Sequence, residues 1–218
     1  MTYSILVRDP ASGRMGGAVA TGNLCAGGWV LRGRHDVGMS ASQGAASSTL
    51  WGEAAMALLA AGTRVEDLVA QVTTPDPGRE ARQLSVLDPA GRAAVFTGGD
   101  NENFKGAIVR QDLVAAGNVL TGAEVLTSVV DGYASAEGPM QERLVAALAA
   151  GQAEGGDSRG LMSAALMVVG HDMPPMTLRI DFSADPIGDL KRLLDRARQP
   201  DYVDWLATLP TGLDPYRR

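Results

Sequence analysis

The sequence predicts an α+β protein in which two stacked antiparallel sheets carry helices on their outer faces. Three observations carry that prediction: extended segments come in blocks, tight turns join the segments within a block, and helical spacing returns only between blocks. The first block opens with segments 3–8 and 15–21, which flank Asp9-Pro10-Ala11-Ser12-Gly13. Proline and glycine there supply the two backbone geometries of a reversal, so the pair reads as a hairpin. Segments 28–32 and 37–43 complete the block. Helical spacing takes over at 50–61, with Gly62 suited to the left-handed C-terminal position. A second helix opens on the capping box Thr63-Arg64-Val65-Glu66 and runs to about residue 72, where Thr74-Pro75-Asp76-Pro77-Gly78 stops it.

The pattern then recurs. Segments 83–87 and 92–97 flank Asp88-Pro89-Ala90-Gly91, and strands at 105–110 and 113–119 follow. Thr121-Gly122-Ala123-Glu124 forms a second capping box, and Pro139 suits the first turn of a helix that ends before Gly151. Strands 163–169 and 176–182 precede a helix opened by Asp185-Pro186 and reaching about residue 197. The expected organisation is one domain over 1–218, with 199–218 an irregular C-terminal tail. No linker or low-complexity tract interrupts it. The two halves share a block order without residue similarity.

Composition narrows the function. Hydrophobic residues at 45%, charged residues at 20% and no apolar run of 18 residues exclude disorder and a membrane span. The opening MTYSILVRDP has no basic segment followed by an apolar run, so a cytoplasmic protein is expected. The lone Cys25 agrees with that placement and excludes thiolate-built zinc. A net charge of −6 argues against nucleic acid and anionic membranes as partners. Only His35 and His171 are present, so a three-histidine metal site is excluded. Asp100, Glu102 and Asp157 supply oxygens without a recognised loop spacing, and neither a metal nor another cofactor is expected.

Phosphate-binding glycine motifs are missing. Gly38-Met39-Ser40-Ala41-Ser42 lacks the last glycine of a nucleophile elbow and falls in a strand. His35 and His171 each precede an aspartate, but neighbours in a strand face opposite ways, and both read as polar loop residues. Cys25 with His35 as thiol and base is a third-ranked reading beside that of a small buried side chain. One nucleophile needs no histidine. If Met1 is removed, Thr2 presents a hydroxyl and a free α-amine that can serve as its base, at the head of an apolar strand that would hold the terminus in place.

Several motifs occur in an order that carries a resemblance: Thr2-Tyr3-Ser4-Ile5 through Arg8-Asp9-Pro10, Gly38 with Ser42-Gln43-Gly44, and Asp76-Pro77-Gly78-Arg79-Glu80 with Arg82-Gln83. Ala94-Val95-Phe96-Thr97-Gly98, Gly117-Asn118, and Gly155-Gly156-Asp157-Ser158-Arg159-Gly160 leading into Ser163-Ala164-Ala165-Leu166 complete the set. Over about residues 2–198 the chain resembles the bacterial family catalogued as domain of unknown function 1028. Members of that family look like N-terminal-nucleophile (Ntn) hydrolases, which implies a four-layer αββα sandwich and amide hydrolysis through an acyl-enzyme.

Carried over by position, the resemblance implies Thr2 as nucleophile and base. Arg34 would keep the amine neutral, or is a solvated arginine. Asn118 would donate to the oxyanion, or caps the turn at Thr121. Gln43 would orient substrate, or makes a turn contact. Asp157 and Arg159 would bind a polar substrate group, or form a loop ion pair. The family often has an aromatic or small residue where Asn23-Leu24-Cys25 stands here, which leaves the pocket wall open. The expected partner is a small-molecule or short-peptide substrate, with a homodimer as the base-rate assembly. The alternative on the same fold is a non-catalytic ligand-binding or assembly protein that retains Met1, because an acylated Thr2 nitrogen cannot act as a base.

Overall fold

A computed structural model describes residues 2–217. The chain begins with β1 (Thr2–Arg8), β2 (Met15–Thr21), a single-turn helix α1 (Ala26–Trp29), β3 (Leu31–Arg34) and β4 (Gly38–Gln43). Helices α2 (Thr49–Ala60) and α3 (Val65–Thr73) precede β5 (Gln83–Leu87), β6 (Ala93–Thr97), β7 (Phe104–Arg110) and β8 (Leu113–Leu120). Then come α4 (Glu124–Ser135), α5 (Met140–Ala153), β9 (Ser163–Gly170), β10 (Met173–Ile180), α6 (Pro186–Ala197) and α7 (Pro200–Leu206). The strands form two antiparallel sheets, ordered β10-β9-β2-β1-β8-β7 and β3-β4-β5-β6. With seven helices among the described residues, the class is mixed α+β. None of these helices is long and apolar enough to cross a membrane.

Strand alternation divides the interior into three apolar clusters. Tyr3, Ile5 and Val7 of β1 pack with Val129, Leu144, Leu148 and Leu190 of α4, α5 and α6. Leu6 and Val19 point the other way, into a cluster shared by the two sheets that includes Met39, Leu87 and Val114. Trp51, Leu59 and Leu68 of α2 and α3 cover Leu84 and Val86 on the far face of the smaller sheet. Small residues in β2 set the close spacing. A Cβ on Gly16 would lie 2.6 Å from Met140 Sδ, and one on Gly17 would lie 2.8 Å from a Leu6 methyl. Thr2, Ser4 and Leu6 therefore share the face between the sheets.

Several expected elements differ in the structure. Residues 28 and 29 belong to the helical turn α1, not to a strand, because Cys25 at φ 60° redirects the chain and its N–H donates to Asp181 O. One turn is too short to leave a period in the sequence. Neither threonine capping box forms: α3 starts after Arg64 and α4 after Ala123, without side-chain caps. The Thr121 hydroxyl donates instead to Glu154 O, 3.2 Å away, which shows a tertiary contact prevailing over a local one. α5 continues through Gly151 to Ala153, since a Cβ there would lie 2.6 Å from Val129 and 3.0 Å from Tyr3; the glycine is a point of close approach and not a stop. The tail contains α7, begun by Pro200 at its first turn. Asp185 does cap α6, accepting from Gly188 N at 3.1 Å.

Tyr3 joins β1 to the helical side. Its ring is fully buried and its hydroxyl donates to Leu148 O at 2.8 Å. Burial first, and the Asp157 carboxylate second, push the phenol well above its ordinary value near 10. Tyr3→Phe should cost about 1 kcal/mol at neutral pH in denaturant unfolding. Above about pH 10 the unfolded chain releases a phenol proton that the folded chain retains, so wild-type stability falls there. The gap to the variant should narrow, by up to about 1.4 kcal/mol per pH unit.

Candidate functional site

The head of β1 is enclosed on three sides. Thr2 lies opposite Thr21 of β2 and Asn118 of β8, so their side chains form a row on the face between the sheets. The Thr2 hydroxyl donates to Thr21 Oγ1 at 3.0 Å, and Thr2 is 6% exposed. From the other sheet, Gln43 Nε2 reaches Thr2 O at 3.4 Å, Ala116 O at 3.2 Å and Gln83 Oε1 at 2.7 Å.

Gln83 is the hub of this polar region. Its Oε1 also accepts from Asn118 Nδ2 at 3.2 Å, while its Nε2 donates to Thr97 Oγ1, Gly106 O and Gly117 O at 2.9–3.0 Å. The network crosses the same gap that apolar residues fill elsewhere. Among the described residues, Gln43 Oε1 and Asn118 Oδ1 are buried without a hydrogen-bond partner. Buried amides are stable only while their partners remain, because an orphaned group keeps its desolvation cost. Gln83→Leu should therefore lower unfolding free energy by at least about 2 kcal/mol. Urea denaturation, with the fold checked by circular dichroism, measures it.

A loop closes the top of the site. The Asp157 side chain is wholly buried and accepts from Gly22 N, from Arg159 N at 2.8 Å and from the Arg159 guanidinium at 3.3–3.4 Å. Its backbone bridges to Leu120. The loop thus ties the ends of β2 and β8, the two strands that flank Thr2. Asp157 and Arg159 form the loop ion pair, with Arg159 half exposed.

A cleft of about 340 Å³ opens beside Thr2, lined by Thr21, Gln43 and Ser47 together with Leu24 and Trp29. Two grooves of the same volume lie along β10 and α7 and between α5 and α6, and neither includes a residue of β1. Thr2 and Gln43 therefore meet at the cleft. Asn118 adjoins Thr2 but is fully buried, with its amide engaged by Gln83, and is not on the cleft wall.

Arg34 lies elsewhere. It pairs opposite Gly38, five strand residues from Gln43 and so roughly 17 Å away along β4. There it is exposed and bound to Asp36 at 2.7 and 3.3 Å. Cys25 sits in the bend beside the cleft wall. His35 and His171 face one another at 3.0 Å in the β3–β4 and β9–β10 turns. Among the described residues no group of three His, Cys, Asp or Glu side chains could hold a metal ion. The status of Met1 lies outside the described residues.

The sequence left Thr21, Gln83 and Trp29 unassigned, while the open pocket-wall stretch Asn23-Leu24-Cys25 does contribute Asn23 and Leu24 to the cleft. Thr21 was within reach, since a hairpin that closes with Arg8 opposite Met15 must place Thr2 opposite Thr21. Backbone strain accompanies the site. Val119, directly after Asn118, has φ 56°, a left-handed conformation that a β-branched residue disfavours. The β7–β8 register shifts at the same point. Comparing Val119→Gly with Val119→Ala isolates the backbone term: glycine should be the more stable of the two by about 1 kcal/mol, reversing the usual strand order. Thermal unfolding of both variants checks it.

The architecture and the site define a mixed α+β protein with a polar cleft at the head of its central strand. The chain belongs to DUF1028, a family of unknown function whose model matches residues 2–190. It is similar to protein SPO2555 from Silicibacter pomeroyi, a member of the same family with a crystal structure. The two are 45% identical, with a TM-score of 0.94 over 99% of this chain and 94% of that one. No curated protein is detectably similar to the chain.

Proposed function

We propose that this protein is an Ntn-type amidohydrolase that cleaves an amide bond of a small molecule or short peptide through an acyl-enzyme on Thr2. The observation that carries the reading is the Thr2 hydroxyl, held at 3.0 Å from Thr21 Oγ1 at the head of a central strand and facing a cleft. The three apolar clusters support the layered part of the proposal. They fit helices α4–α6, the larger sheet, the smaller sheet, and helices α2–α3 as the four layers of an αββα sandwich in one domain.

In this reading Met1 is removed and the freed α-amine, ordinarily with a pKa of about 7.7–8.0, is the base. Thr2 Oγ attacks the amide carbon while the amine takes the hydroxyl proton. The C–N bond breaks, the leaving nitrogen receives that proton, and an ester on Oγ remains. Water then adds to the ester carbon with the amine again as base, and the Oγ–C bond breaks to release the acid. Asn118 Nδ2 has one hydrogen engaged by Gln83 and the second is the donor proposed for the oxyanion, a role that requires Asn118, buried behind the cleft wall, to turn toward Thr2 Oγ1. Gln43 fixes the strand end through Thr2 O, and Asp157 with Arg159 holds the flanking strands. Arg34 has no part in this scheme. The chemistry as written uses no metal or cofactor.

Intact-protein mass combined with an amide-substrate panel and a β-lactone probe tests the proposal. Chains lacking Met1 should hydrolyse at least one amide and take the probe on Thr2, and Thr2→Ala should lose activity by at least about 10³-fold. Thr2→Ser should restore part of it. Full activity in Thr2→Ala, or in chains proven to retain Met1, would sink the mechanism.

A further inference from the structure

The cleft beside Thr2 has a chemistry of its own. No side chain lining it is ionisable among the described residues. Charged groups outside the lining are ion-paired: Asp157 with Arg159, Arg32 with Glu53 at 2.6 Å, and Arg179 with Asp181 at 2.9 Å. A charged ligand group entering the cleft would lose water and meet no oppositely charged side chain there, which is unfavourable.

Two further features narrow the ligand. Trp29 and Leu24 line the cleft while remaining 53% and 52% exposed, so an apolar or aromatic arm laid against them would bury surface now facing water. Gln43 lines it as well. Its amide nitrogen is turned toward Thr2 O, Ala116 O and Gln83 Oε1, which fixes the amide orientation and leaves Oε1 buried with no donor. A buried acceptor without a partner is satisfied by a ligand N–H at little cost, whereas a ligand carboxylate would meet it with like polarity.

We propose that this cleft is an acyl-group subsite for uncharged amides bearing an apolar or aromatic arm against Leu24 and Trp29 and an N–H donated to Gln43 Oε1. The class includes N-acylated, C-terminally blocked apolar amino acids and excludes free amino acids and acidic side chains. The proposal rests on the reading of Thr2 as nucleophile for its place in a reaction, but the binding preference does not require catalysis. A volume near 340 Å³ suits a ligand of about one to two residues.

Binding is therefore measured on Thr2→Ala protein, where no turnover occurs, by ligand-observed saturation-transfer NMR and calorimetry. Three probes are compared: N-acetyl-phenylalaninamide, N-acetyl-glutamate and free phenylalanine. The blocked aromatic amide should bind saturably and at least about tenfold more tightly than either charged probe. Trp29→Ala, a change at a half-exposed position, should weaken it about tenfold while the circular dichroism spectrum stays unchanged. Gln43→Met, which keeps the length and removes the acceptor, should weaken it as well. Equal or tighter binding of a charged probe, undiminished binding by Trp29→Ala, or no saturable binding of any probe overturns the proposal. If the amide binds as expected while wild-type protein hydrolyses no amide, the subsite stands and the nucleophile reading alone fails.

Discussion

The carboxamide of Gln83 is the constraint on which the site depends. It joins the two sheets where an apolar contact would otherwise suffice, receiving Gln43 and Asn118 on its oxygen and engaging a hydroxyl and two carbonyls with its nitrogen. Apolar packing between sheets tolerates small slips, whereas an amide hub with several directional partners does not. A slip of one residue in β4 would turn Gln43 away from the gap, and the same slip in β8 would turn Asn118 toward the helices. The network therefore fixes Thr2 in three dimensions through its neighbours on both sheets. Directionality, more than energy, is what buried polar groups add here.

Around that hub the molecule is packed with unusually small side chains. β2 brings Gly16 and Gly17 against α5 and the opposite sheet, and α5 brings Gly151 against Tyr3. Layers that approach so closely leave no slack at the strand ends, which makes two left-handed non-glycine residues near the site tolerable. Cys25 bends the chain beside the cleft wall, and Val119 turns it directly after Asn118. Such conformations cost of order 1–3 kcal/mol each and persist only where the surroundings determine them. The closed loop over β2 and β8, with Asp157 wholly buried on the Gly22 amide, supplies part of that determination.

The sequence made the architecture legible because its signals were local. The turns Asp9-Pro10-Ala11-Ser12-Gly13 and Asp88-Pro89-Ala90-Gly91 close the hairpins as read, and the block order follows from them. What failed was decided at a distance. Thr121 caps nothing because Glu154 O lies within reach of its hydroxyl, and Gly151 ends nothing because Tyr3 needs its space. The site divides along the same line. Thr2 was visible from its position and Thr21 was recoverable from the hairpin register, while Gln83 is simply a polar strand residue until β5 is placed beneath β1 and β8. Arg34, carried over by resemblance, sits at the other end of β4 on Asp36.

Placing both histidines together, in turns at the ends of β3 and β9, leaves the Thr2 cleft without an imidazole, and the structure lines it with no ionisable side chain in exchange. Charges approach from Arg32, Arg179 and Asp157, yet each arrives with its own partner. Amide and hydroxyl groups tied to the Gln83 network therefore surround Thr2. In the proposed mechanism the terminal amine is the base, and it needs no further residue. The lining that would favour an uncharged ligand is the same one that leaves the proposed nucleophile dependent on its own amine.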